Sequence, residues 1–401
     1  MTLELDLIGT VAVASVVLWC GLFLRRKIDV LREYNIPAPV IGGIIFALLR
    51  WGLMGKIDFS FDMTLQSPLM ITFFTTVGLG ASLKLLKKGG PQVLLFLGLA
   101  SVLVFCQNLV AVVISKLTGL HPLLGLLAGS VTMSGGHGTG ATFAKTFTTQ
   151  YGLVGAMELA MAAATFGLVA GSIIGGPVAR RLIRKYDLKP HMDDESDGVH
   201  GESGPLDSSG DHSGGTVNDV LLTILQISVA MYLGSLAYAR LMGMGVTLPT
   251  YLCALFVGII IRNVSDFSGT FKVHLKCVDY IGAVALSLFL AMALMSLKLW
   301  QLMDLAGPMV AILLGEMLLM ASFSYFITFR LMGKDFEAAI MAGGHCGFGM
   351  GATPNAVANM EALCSNYGPA PRAFFVIPIV GAFFIDIVNA FVIQGFAIFL
   401  S

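Results

Sequence analysis

Ser134-Gly135-Gly136-His137-Gly138-Thr139-Gly140-Ala141-Thr142 and Gly343-Gly344-His345-Cys346-Gly347-Phe348-Gly349-Met350-Gly351-Ala352-Thr353 carry one glycine-rich pattern twice, each copy late in its half of the chain. Glycine lets a backbone leave the helix and approach a ligand closely. In an apolar chain such backbone is tolerated only where protein covers it or where it lines a watery cavity. Two broken segments at matching places in two halves mark the binding site of a transporter. A phosphate-binding loop is excluded, because neither copy contains GxxxxGK[ST] and no βαβ pattern surrounds either.

Composition agrees. The chain has 401 residues, 56% of them hydrophobic and 12% charged, against about 25% charged in a soluble domain. Apolar runs of spanning length recur from end to end, so the fold class expected is an all-α polytopic membrane protein. Glu4 and Asp6 stand where a signal peptide carries basic residues, and Leu7–Leu24 is long enough to cross. A first transmembrane helix is therefore expected there. A net charge of zero without a basic stripe gives no nucleic-acid partner. The six scattered cysteines, with no CxxC, define neither a metal motif nor a disulfide framework.

Ten spans are expected, at 6–25, 37–54, 67–86, 91–116 and 152–182, then 217–241, 247–263, 278–299, 305–330 and 371–400. The stretches 121–150 and 336–366 each read as short helix, glycine break and short helix, hence as re-entrant hairpins. Eighteen of the 24 lysines and arginines then fall on one side and six on the other. By the positive-inside rule the heavy side is cytoplasmic and both termini lie outside. Residues 187–216, polar and rich in Gly, Ser, Asp and Glu, read as a flexible cytoplasmic linker. Its His191, His200 and His212 are read as solvated linker positions rather than a metal tract.

The linker separates an N-terminal repeat, 1–186, from a C-terminal repeat, 217–401. Ile36-Pro37 matches Leu248-Pro249, Ser82-Leu83-Lys84 matches Ser296-Leu297-Lys298, and Tyr151-Gly152 matches Tyr367-Gly368. Five spans per repeat is an odd number, so the second copy is expected to be inverted.

The motif glycines offer free backbone N–H and C=O groups and helix ends, which attract carboxylates and cations. Candidate substrate-binding residues are Ser134, Gly135, Gly136, His137, Gly138, Thr139, Gly140 and Thr142. In the second copy they are His345, Gly347, Gly349, Gly351, Thr353 and Asn355. His137 and His345 are equivalent, and ligand contact, hairpin bracing and proton relay are all open to them. Acids deep in spans are costly and so mark function. Asp386 with Asn389 one turn on, and Glu158, are candidate partners for Na⁺ or a substrate ammonium, and Glu316 is a further acid deep in a span. Gln107 and Asn108 are placed to pair with a hairpin or to serve as packing. No Lys or Arg lies deep in a span, so a substrate carboxylate would rest on backbone dipoles, hydroxyls and bound cations.

These strings, together with Ala162–Gly167, Gly175-Gly176-Pro177, Leu286–Trp300 and Val380–Asn389, resemble the bacterial sodium/glutamate symporter family along essentially the whole chain. The resemblance implies Na⁺-coupled uptake of L-glutamate across a bacterial inner membrane and no enzymatic activity. It also implies a homodimer, two opposed re-entrant loops and a transport unit that moves. A symporter of another small carboxylate shares this topology, and a passive channel is the reading from a different class. The orientation is testable: a C-terminal alkaline phosphatase fusion is expected to be active and a C-terminal green fluorescent protein fusion dark, and the opposite pattern would refute it.

Overall fold

The computed structural model describes residues 2–33, 36–53, 58–84, 90–190, 216–244, 248–297 and 305–400. Most of the expected linker 187–216, including its three histidines, lies outside the described residues.

The chain opens with strand β1 (Thr2–Leu5) and helices α1 (Leu7–Lys27) and α2 (Ala38–Gly52), followed by β2 (Asp58–Phe61) and α3 (Gln66–Gly80). Next come α4 (Gly90–Leu117), α5 (Pro122–Ala128), α6 (Ser130–Met133), α7 (Gly136–Tyr151) and α8 (Ala156–Lys185). The second half holds α9 (Val217–Gly243), α10 (Thr250–Ser268), α11 (Leu275–Met295) and α12 (Ala306–Phe323). A π-turn at Ser324–Thr328 carries α12 on to Leu331. Helices α13 (Phe336–Met350) and α14 (Thr353–Tyr367) follow, and α15 (Pro371–Ile379) runs through a second π-turn, Val380–Phe384, into α16 (Ile385–Leu400).

Local chemistry sets these boundaries. The Asp6 carboxylate accepts from the Gly9 N–H to start α1, and Arg25, Arg26 and Lys27 complement its C-terminal dipole. Thr216 and Asp219 form a capping box on α9. Asp335 caps α13 through the Ala338 N–H at 2.7 Å. Gly152, left-handed at φ 66°, ends α7.

Among the described residues each of the ten expected spans falls largely in helix, and seven helices are long and apolar enough to cross a membrane. The two extended segments are a departure from an all-helical reading: β1 and β2 pair in parallel, Leu3 opposite Phe59. The alternation Phe59-Ser60-Phe61 is a strand signal that an apolarity scan passes over. A second departure is α3, expected to reach residue 86 but ending at Gly80. Asn263 accounts for the stop: its Nδ2 donates to the Ala81 carbonyl at 3.0 Å and its Oδ1 accepts from the Leu83 N–H at 2.9 Å. At the end of α11 Arg50 takes the matching role, donating to the Ser296 carbonyl at 3.2 Å.

The chain forms two compact units, and each draws on both halves. One contains β1, β2, α1–α3 and α9–α11; the other contains α4–α8 and α12–α16. In the first, backbones meet closely at small residues. A Cβ on Gly21 would strike the Ala38 carbonyl and one on Gly42 the Val17 carbonyl, locking α1 to α2. Gly234 against Ala254 does the same for α9 and α10, at 2.5 Å from the Ala254 Cα. In the second unit, Gly167, Gly171 and Gly175 line one face of α8 at four-residue spacing. Cβ atoms there would strike the Met350, Cys346 and Gly343 carbonyls of α13. This is the small-residue seam that lets helices approach where lipid offers no hydrophobic drive.

Gly171→Val, whose Cβ falls 2.9 Å from the Cys346 oxygen, is expected to destabilise the detergent-solubilised protein by about 1–3 kcal/mol. Gly98→Ala on α4 meets nothing within 4 Å and is expected to leave melting unchanged or raised. Thermal unfolding of the two variants side by side checks the seam.

Candidate substrate and cation site

Both glycine motifs interrupt a helix, and both lie within the second compact unit. The breaks are narrower than the motifs. Only Ser134-Gly135 separate α6 from α7, and only Gly351-Ala352 separate α13 from α14. Gly136, Gly138 and Gly140 open α7, whereas Gly343, Gly344, Gly347 and Gly349 run inside α13. There the missing side chains serve packing: a Cβ on Gly347 would lie 2.7 Å from the Asn355 carbonyl oxygen, and one on Gly140 would lie 2.8 Å from Thr132 Cγ2. Gly135 is pressed against the Val131 carbonyl in the same way, at 2.6 Å.

The two breaks meet. Gly136, at φ 64°, sits so that a Cβ would be 3.7 Å from the Gly351 carbonyl oxygen. Gln107 on α4 ties them: its Nε2 donates to the Gly349 carbonyl at 2.7 Å, and its Oε1 accepts from the Ser134 hydroxyl at 2.7 Å. Ser134 Oγ is itself 3.4 Å from the Gly349 carbonyl. One buried amide thus satisfies groups on both broken segments. Helices α7 and α14 begin at Gly135 and Ala352, neither of which has a side chain that caps the first turn. First-turn N–H groups left without a side-chain acceptor suit a carboxylate.

A second polar cluster joins α4, the α5–α6 junction and α16. The Ser130 hydroxyl lies 2.8 Å from Asn108 Oδ1 and 2.6 Å from Asn389 Oδ1. The Ser130 N–H donates to Asn108 Oδ1 at 3.1 Å, and Asn389 Nδ2 donates to the Ser130 carbonyl at 2.9 Å. All three residues are buried. A third cluster holds α14 on α8. Asn355 Nδ2 donates to the Leu168 carbonyl at 3.0 Å and to Ser172 Oγ at 2.7 Å, and Asn359 Nδ2 donates to the Gly171 carbonyl at 3.0 Å. Asn355 Oδ1 is buried without a hydrogen-bond partner among the described residues.

The remaining candidates are dispersed around these clusters. His137 is buried with Nε2 3.1 Å from Thr165 Oγ1. His345 is fully enclosed, Nδ1 2.9 Å from Thr328 Oγ1, with the rings of Phe96, Phe323 and Phe348 about it. His345 Nε2 is buried without a hydrogen-bond partner among the described residues. Thr142 Oγ1 donates back to the Gly138 carbonyl within α7, and Thr139 is buried on the same helix. Thr353 opens α14, its hydroxyl 2.8 Å from where a Cβ on Gly381 would sit, at the second π-turn. Asp386 is half-buried in the first turn of α16, one turn before Asn389. Glu158 is buried in the first turn of α8, on a different helix from that pair. Glu316, on α12, is fully buried with both carboxylate oxygens lacking a hydrogen-bond partner among the described residues. No group of three or more His, Cys, Asp and Glu that could hold a metal occurs among the described residues.

Ser130, Thr165, Thr328, Leu168 and Ser172 are absent from the sequence-derived candidates. Only Ser130 carried a signal, the Gly129-Ser130 pair that interrupts an apolar run.

Discontinuous helices tied together by buried polar groups inside an apolar, many-helix protein are a feature of secondary transporters. The sequence profile of the sodium/glutamate symporter family matches residues 3–369, and the chain belongs to that family. A sodium/glutamate symporter of Haemophilus influenzae is 46% identical over 383 residues, covering 95% of this chain and 94% of its own. One of Escherichia coli is 45% identical over 395 residues, covering 98% and 97%. A sodium proton antiporter of Methanocaldococcus jannaschii aligns over 98% of both chains with 13% identity and a TM-score of only 0.34.

Gln107→Leu removes both partners of the link at once. The buried Gly349 carbonyl and Ser134 hydroxyl would be left unsatisfied, at about 1–3 kcal/mol. Lower melting of the purified protein and a lower maximal uptake rate are the expected outcomes, and unchanged values of both would remove the link from the site.

Proposed function

We propose that this chain is a secondary active transporter that moves L-glutamate into the cell together with Na⁺. The observation that carries the reading is the meeting of the two broken segments at Gly136 and Gly351, in a chain that belongs to the sodium/glutamate symporter family. The uncapped starts of α7 and α14 give N–H groups for the substrate carboxylates. Ser134, Thr139, Thr142 and Thr353 give hydroxyls, and His137 stands beside them. Asp386, Asn389 and Glu158 are the candidates for Na⁺ or for the substrate ammonium.

The finer architecture belongs to this proposal. The segments 121–150 and 336–366 are re-entrant hairpins entering from opposite faces. The halves 1–186 and 217–401 are inverted repeats joined by a cytoplasmic linker. Two features support the repeats: each compact unit takes the corresponding spans from both halves, and Asn263 and Arg50 take matching roles at Ala81–Leu83 and Ser296. The unit holding both hairpins crosses as a body, in an elevator-like alternation of access. The protein works as a homodimer in a bacterial inner membrane, with both termini periplasmic. Each net positive charge moved inward gains about 2.3 kcal/mol per 100 mV of inside-negative potential. Glutamate carries one net negative charge, so electrogenic uptake calls for at least two Na⁺ per glutamate.

Radiolabelled L-glutamate uptake into proteoliposomes under an inward Na⁺ gradient tests this. Accumulation above equilibrium with Na⁺ and its absence with K⁺ are expected, as is loss of uptake in Gly136→Val, which forces a side chain onto a positive φ beside Gly351. Accumulation of a different carboxylate that glutamate fails to compete away would change the substrate. Equilibration indifferent to the cation would replace symport with a channel.

A further inference from the structure

We infer that Glu316 is a proton-binding site, which holds its proton while α12 stays packed on α4 and α13 and releases it when that packing opens. Glu316 lies in the middle of α12 and is fully buried. Neither carboxylate oxygen has a hydrogen-bond partner among the described residues. An ionised carboxylate can only accept hydrogen bonds. Buried with no donor, it bears a desolvation cost that no neutral polar group approaches, and such a group takes up a proton instead. One O–H bond forms on a carboxylate oxygen as hydronium in the aqueous phase gives up its proton, and the negative charge disappears.

The surroundings suit a proton better than a metal ion. Beside Glu316, a Cβ on Gly315 would lie 2.6 Å from Ile114 Cδ1 and 3.5 Å from Val110 Cγ1, both on α4. One turn beyond Glu316, Met320 meets α13, its Sδ 2.6 Å from where a Cβ on Gly349 would sit. Leu103 Cδ2 of α4 lies 2.8 Å from the same point. These neighbours bring carbon and sulfur. A hard metal cation is held by several oxygens, whereas a proton needs one oxygen and no cavity.

Helix α12 packs on α4, α5, α8 and α13. From α4, Cys106 stands close enough to feel a charge on Glu316. From α13, His345 faces Phe323 and Cys346 lies beside Ser324, two turns further along. From α8, Lys185 reaches Tyr325. Helix α5 carries no titratable residue. The two side chains of this set that can be cationic, His345 and Lys185, thus meet α12 away from the turn that holds the carboxyl.

The placement gives the proton a means of acting. Cys106 is adjacent in α4 to Gln107, whose amide ties Ser134 to the Gly349 carbonyl. Met320, one turn from Glu316, is seated on Gly349 itself. The acid therefore lies behind the link that joins the two breaks. An ionised Glu316 must reach water or an ion, and it does so only if α12 parts from α4 and α13. Proton loss is tied in this way to loosening of the link. The proton site stands apart from the transported species, and its effect on uptake rests on the transporter reading above.

Thermal unfolding of the purified full-length protein in choline chloride, from about pH 5.5 to about pH 8.5, tests the site. An unfolded glutamate gives up its proton near about pH 4.3. Across the window the folded wild type then holds more proton at this position than the unfolded chain, so its stability falls as pH rises. Glu316→Gln keeps the shape of the neutral acid and cannot titrate, and Glu316→Met replaces it by an apolar side chain. The melting temperature of each variant minus that of wild type is expected to widen with pH by at least about 3 °C. A difference that stays constant would overturn the site. Should Glu316→Gln fail to fold, Glu316→Met decides; failure of both would overturn the site, because a neutral group without partners is replaceable at like size. NaCl in place of choline chloride at the alkaline end separates a proton from Na⁺. An Na⁺-induced rise in melting that wild type shows and both variants lose would assign Glu316 to the metal ion and overturn the proton. In proteoliposomes at equal pH on both sides, wild-type uptake is expected to fall at least about threefold from about pH 6 to about pH 8.5. In Glu316→Gln the two rates should agree within about 1.5-fold. A widening melting difference with uptake indifferent to pH would keep the proton site and overturn its tie to the link. A widening difference in a protein whose uptake ignores Na⁺ would refute symport and keep the proton site.

Discussion

A helix that stops inside an apolar medium leaves backbone N–H and C=O groups with no water to take them. This protein breaks its helices repeatedly in apolar surroundings, and an uncharged amide or an arginine from another helix closes the gap. Gln107 serves the Gly349 carbonyl and Ser134; Asn108 and Asn389 serve Ser130. Asn263 serves Ala81 and Leu83, and Arg50 serves Ser296. Amides dominate because they offer a donor and an acceptor together without the desolvation cost of a full charge. The rest of the structure depends on this accounting, since without it the broken segments would have to run on as plain helices or leave the apolar layer.

Close approach is the second requirement. A side chain as short as asparagine reaches a neighbouring backbone only if the helices nearly touch. The glycines of α8 supply that closeness to α13, and Gly175 lies where a Cβ would strike the Asn359 amide itself. Asn359 then bonds the Gly171 and Gly343 carbonyls on the two sides of the seam. Seam and bridge are thus one device, in which glycine makes the space and asparagine fills the hydrogen-bonding gap. The same logic explains why most glycines of the second motif lie in regular helix. They are there for the neighbour's backbone, and only Gly351 marks the break.

The site that results is short of charge. His345 is enclosed by Thr328 and three phenyl rings, and the hydrogen bonds described at the two breaks join amide, hydroxyl and carbonyl groups. Under the proposed function, recognition of an anionic amino acid in such a place would rest on helix N-termini and on co-bound cations, which would give coupling a physical reason. A bound cation would supply charge that the protein does not fix permanently, so that the affinity for the anion would follow the ion.

The sequence alone determined the apolar helical stretches and the two glycine-broken segments. Apolar length and glycine density are local properties, and both had to be present for the chain to enter a membrane at all. Gln107 and Asn108 were visible as polar residues in an apolar helix, but not their partners, which lie on segments far along the chain. Tertiary structure decided which glycines bend the chain and which only yield space, because that depends on what stands opposite. It decided that α3 ends at Gly80, since the side chain that accepts the stop, Asn263, comes from the other half. It raised Ser130 to the centre of a cluster and enclosed His345 in aromatic rings. It also sorted the elements of the two halves into two shared units. Long-range hydrogen bonds and backbone contacts leave no period in a sequence, so the pairing of distant polar residues is settled only when the helices meet.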